Sequence, residues 1–121
     1  MTTFNVQGPL GSGKATILIA ANTLVKWDTT AGNIVVCGVG DLPLGVVQDA
    51  IAAGSVGAFY RWSGRYEFLV NGTGISAGDY VKPGAAGVVV QEASATVVTS
   101  ATCGQARSAS DANSQVVIAA R

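Results

Sequence analysis

Apolar runs in this chain are cut after three to five residues, mostly by turn-forming residues such as glycine, proline, asparagine or aspartate. That rhythm rules out long helices and favours short strands joined by tight turns. The runs are Thr16-Ile17-Leu18-Ile19, Leu24-Val25-Lys26-Trp27, Ile34-Val35-Val36-Cys37, Leu44-Gly45-Val46-Val47-Gln48, Tyr80-Val81-Lys82, Val88-Val89-Val90-Gln91, Thr96-Val97-Val98-Thr99 and Gln115-Val116-Val117-Ile118. Valine and isoleucine dominate them, and β-branched side chains suit a pleated surface. Sixteen glycines supply the turns. Only residues 48–54 offer helical character, enough for one short turn. The fold expected is all-β: a small β-barrel or β-sandwich, and 121 residues fit one such domain.

Two features suggest its internal plan. Val56 to Trp62 and Arg65 to Val70 flank Ser63-Gly64, a two-residue turn signal that predicts a hairpin over 56–70. It carries five of the eight aromatic residues: Phe59, Tyr60, Trp62, Tyr66 and Phe68. There is also an internal echo. Val25-Lys26, Ile34-Val35-Val36, Gly45-Val46-Val47 and Ser55-Val56-Gly57-Ala58 find counterparts in Val81-Lys82, Val88-Val89-Val90, Gly104-Gln105-Ala106 and Gln115-Val116-Val117-Ile118. Two similar units, about 24–58 and 80–118, would then flank the aromatic hairpin within a β domain of residues 16–121.

Residues 1–15 read as a glycine-rich N-terminal arm. Within and just beyond it, Gly8-Pro9-Leu10-Gly11-Ser12-Gly13-Lys14-Ala15-Thr16 nearly matches the phosphate-cradling P-loop. The match fails chemically, because Ala15 stands where a hydroxyl must hold magnesium. It fails in context too: seven residues leave little room for a preceding strand, and the segment that follows is short and β-branched. Other chemistry lacks parts. The chain has no histidine, which removes the commonest general base and metal ligand. Two cysteines cannot build a zinc site. Asp28, Asp41, Asp49, Asp79 and Asp111 sit beside turn signals, where capping is their ordinary work. No enzyme activity, cofactor or metal is expected.

Charge narrows the partners. Only 12% of residues are charged, against roughly 25% in ordinary soluble domains. A surface so poor in charge suits one covered by a partner. Seven basic and seven acidic residues are scattered, so no basic stripe supports nucleic-acid binding. No apolar run reaches the ~18 residues of a membrane helix. The N-terminal sequence lacks signal-peptide character, so synthesis in a reducing cytoplasm is expected, with Cys37 and Cys103 as small buried hydrophobes.

The series Leu24-Val25-Lys26, Gly32, Leu44-Gly45-Val46-Val47, Ala53-Gly54, Ala77-Gly78-Asp79-Tyr80-Val81, Gly87-Val88-Val89 and Cys103-Gly104-Gln105-Ala106 resembles the capsid cement, or head decoration, proteins of tailed bacteriophages. The resemblance spans residues 16–121. It implies a compact β-barrel or sandwich, usually a homotrimer, bound to the major capsid protein on the outer surface of the mature shell and bridging its subunits. The arm residues Phe4, Val6, Leu10 and Lys14 are then candidate capsid or neighbour contacts, and Arg61, Trp62, Arg65 and Tyr66 a candidate intersubunit surface. Two alternatives stand beside it: a carbohydrate- or surface-binding module using the aromatic hairpin, and another small virion part such as a tail or head–tail joining protein.

Overall fold

The computed structural model describes residues 10–64, 66–92 and 98–121. Among them there is no α-helix. Ten strands, β1 (Leu10–Ala15), β2 (Thr23–Trp27), β3 (Asn33–Val36), β4 (Gly45–Val47), β5 (Val56–Arg61), β6 (Glu67–Asn71), β7 (Tyr80–Pro83), β8 (Val89–Gln91), β9 (Gly104–Ala106) and β10 (Gln115–Ala120), carry the fold. The first five close into a barrel in the order β1-β3-β2-β4-β5. The last five form an open sheet in the order β6-β10-β9-β7-β8. The all-β fold expected from the sequence, a small β-barrel or β-sandwich, is therefore what the chain forms, as a closed barrel with a second sheet.

The echo has a counterpart in the strand pairing. Pairings β2–β3, β2–β4, β4–β5 and β5–β1 recur as β7–β8, β7–β9, β9–β10 and β10–β6, all antiparallel. Val25 opposes Val36 and Gly45, as Val81 opposes Gln91 and Gly104. Those two matches agree with the sequence; the flanking strands are shifted by one residue from it. The units begin earlier than expected, because β1 and β6 lead them. Closure separates the copies. In the first, β1 also pairs parallel with β3, placing Lys14 opposite Asn33 and Ala15 opposite Ile34. In the second, the matching residue, Asn71, donates its backbone N–H to Asn22 O at 2.9 Å, so the first unit occupies the end of the seam.

Strand alternation gives β2 and β4 two buried faces. Val25 and Val47 point into the barrel with Ala15, Ile19, Ile34, Ile51 and Phe59. Leu24 and Val46 point outward, and with Cys37 they join Phe68, Val70, Val81, Val116 and Ile118 in a second core. The outer wall of the barrel is thus the lid of the open sheet.

Several expectations need correcting. Ser63-Gly64 does not join a hairpin: β5 pairs with β1 and β4, while β6 pairs with β10. The turn passes the chain from one unit to the next. Residues 10–15 are not part of an arm but a barrel strand. Thr16–Ile19 is a bend ending in an isolated bridge between Ile19 and Ile51, and 48–54 contains no helix. Val98 and Thr99 are not in a strand, and residues 93–97 lie outside the described residues.

Leu24→Ala removes a fully buried side chain from the junction of the units. A loss of about 2–5 kcal/mol is expected, read as a lower urea midpoint, whereas Leu42→Ala on the exposed loop should leave the midpoint unchanged.

Candidate functional site

The P-loop lookalike resolves into packing. A Cβ on Gly11 would stand 2.4 Å from Phe59 Cζ, and one on Gly13 2.6 Å from Ile34 Cγ2. These glycines leave room for large side chains inside a narrow five-stranded barrel. The backbone is committed as well: Lys14 N–H donates to Gly32 O and Ala15 N–H to Ser55 O. Among its described residues the lookalike is a paired strand and forms no loop of N–H groups to wrap a phosphate. Lys14 itself is exposed on the outer wall of β1.

The remaining polar groups are structural. Lys26 Nζ lies 2.7 Å from Asp41 Oδ2, which also accepts the Gly38 N–H. The Lys26 contact holds the Asp41 carboxyl below the usual range. Asp28, Asp79 and Asp111 accept turn N–H groups from Thr29, Ser76 and Asn113, so the capping role expected of them is seen; no such bond is seen for Asp49. Sequence reasoning missed Glu92, whose side chain is 2% exposed. Its Oε2 accepts hydroxyl hydrogen bonds from Thr102 and Thr99, and Lys82 Nζ lies 3.6 Å from Oε1. The Thr102 hydroxyl is the main reason its carboxyl is held low. It clamps the loop that returns to β9. Among the described residues no group of histidine, cysteine or carboxylate side chains could hold a metal. No helix among them is long and apolar enough to cross a membrane.

Of the expected contact residues that are described, the structure brings Leu10 and Arg61 together on one cleft. Both line a cleft of about 470 Å³ at one mouth of the barrel, with Gly11, Ser12, Trp27, Ala58 and Phe59. Leu10 is 62% exposed and Trp27 49%. The Trp27 ring meets Phe59 edge-on at 5.9 Å, a stable aromatic geometry. Arg61 makes no ion pair or hydrogen bond among the described residues. Trp27 was not singled out in the sequence. Its only signal was its place at the end of an alternating strand.

Trp62 and Tyr66 pack against the second core instead. Trp62 stacks on Phe68 at 4.8 Å and donates its indole N–H to Cys103 O at 2.9 Å. With Phe59 and Phe68 fully buried, the aromatics form no exposed row, so the platform of the carbohydrate alternative is missing. Phe4, Val6 and Arg65 lie outside the described residues.

Neither a protein-family model nor a curated protein sequence matches this chain. Among solved structures it is similar to the crystal structure of the head fiber gp8.5 N base of bacteriophage phi29, with a TM-score of 0.75 and 18% identity over 93% of each chain. That likeness establishes a shared fold across nearly the whole chain.

Two checks follow. Gly13→Ala should destabilise the protein by about 1–3 kcal/mol in a denaturant melt, and titration with ATP and magnesium should release no heat. Burial pushes the Cys37 and Cys103 thiols up to about 12 from 9.0. Between those values the unfolded chain ionises and the folded one does not, so their stabilising share, full below pH 9, is lost as pH rises. By pH 10 the loss is on the order of 1 kcal/mol per thiol. Calorimetry should show a shallower alkaline fall in the Cys37→Ala, Cys103→Ala double variant.

Proposed function

We propose that this chain is a non-catalytic structural protein of a bacteriophage virion, seated on the outer surface of the head and bridging major capsid protein subunits. The observation that carries this is the fold shared over 93% of both chains with a base domain of a phage head fiber. The sequence pattern resembling head decoration proteins points the same way, as does a chain in which only 12% of residues are charged. The P-loop lookalike, turned into a packed strand, supplies no rival chemistry.

The physical mechanism is linkage. A protein that binds the assembled shell better than the free subunits stabilises the shell by mass action. Several copies joined in a homotrimer would gain further, because each later contact becomes intramolecular. Synthesis would take place in the host bacterial cytoplasm.

Purified heads of the parent phage lacking this protein should carry it into the pellet on sedimentation and survive heating to a higher temperature once loaded. In free solution, sedimentation should give three times the 12.1 kDa of one chain. Heads that pellet without it would reject the proposal.

A further inference from the structure

The two units each carry a large ring capped by a tryptophan, and the caps differ in one respect. In the second unit Trp62 lies over Phe68 with its indole N–H satisfied by Cys103 O. In the first, Trp27 lies against Phe59, half exposed, and its indole N–H has no acceptor among the described residues. Arg61, on the same cleft, is a second donor without a partner among the described residues. The nearby carboxylate of Asp28 accepts the Thr29 N–H and makes no ion pair with Arg61 among the described residues. Residues 1–9 contain no acidic side chain, so the chain's own N-terminal segment offers no carboxylate either. The cleft therefore presents two donors and no acidic side chain, next to the exposed apolar surface of Leu10 and Trp27.

We infer that this mouth of the barrel is the anchor site for an acidic segment of a head-surface protein, which lays an apolar side chain between Leu10 and Trp27 and a carboxylate on Arg61. This rests on the proposed virion role and adds to it the contact and its chemistry. A carboxylate matches a guanidinium in charge and in its planar pair of acceptors. Tryptophan and arginine, wrapped by apolar neighbours, are the side chains that most often dominate an interface. The cleft of about 470 Å³ has room for an anchor of one or two side chains.

The test uses the full chain with purified heads. Arg61 is exposed and makes no ion pair or side-chain hydrogen bond among the described residues, so its variants should fold as the parent does. Arg61→Gln should weaken head binding about tenfold, as loss of a charge-assisted hydrogen bond would. Arg61→Glu should weaken it further, and raising salt should weaken the parent more than either variant. The Trp27 indole N–H resonance, assigned with Trp27→Phe, should shift when the parent is mixed with soluble capsid protein. If the parent does not bind heads at all, the virion role fails. If the parent binds and Arg61→Glu binds equally well, the role stands and this contact is wrong. If deleting residues 2–9 moves the Trp27 resonance while capsid protein does not, the cleft is filled by the chain itself and the inference falls.

Discussion

Leu24 and Val46, facing out of one barrel and into the core of a second sheet, hold this molecule together. Strands β2 and β4 are buried on both sides, and every other element is arranged around that fact. Val25 and Val47 fill the barrel while their neighbours cover Phe68, Val70 and Ile118. A small domain gains stability from strands that serve two cores, because each backbone residue ordered removes apolar surface on both faces. The chain has few leucines and phenylalanines for such work, and doubling the use of its valines compensates.

The duplicated units solve one problem in two ways. An open sheet leaves unpaired edges, which invite unwanted pairing. The first unit removes its edges by closing β1 onto both β5 and β3. Gly11 and Gly13 make that closure possible, since the positions matching them in the second unit, Phe68 and Val70, are large. The second unit keeps those side chains, stays open, and takes its cover from the first. At the position of Cys37 it carries Glu92, whose charge is held by Thr99, Thr102 and Lys82 rather than by burial in an apolar core. Divergence between the copies is thus concentrated where one closes and the other docks.

Much of this was visible in residue order. Val25 and Val81, Gly45 and Gly104 sit at matching places because the strand–turn–strand unit is written twice. The errors share a physical origin. Ser63-Gly64 has hairpin chemistry, but a turn does not say which edge its flanking strands will find, and β5 turns to β1 and β4 while β6 turns to β10. Leu10–Ala15 looked like an arm because glycines weaken an isolated strand; the reason for them, Phe59 and Ile34, lies in other strands. The site was half legible. Leu10 and Arg61 are readable as candidates from the sequence, but Trp27 joins them only because closure of the barrel sets it at the rim beside them.

The shared wall also makes the two halves of the chain unequal. Residues 10–61 contain all five strands of the barrel, and each of these strands finds its partners within that segment. The barrel closes with its own partners and presents Leu24, Cys37 and Val46 as an apolar plate. The second sheet covers Phe68 and Val116 by packing them against that plate. A fragment that ended with the barrel would therefore expose an apolar face that the whole chain buries.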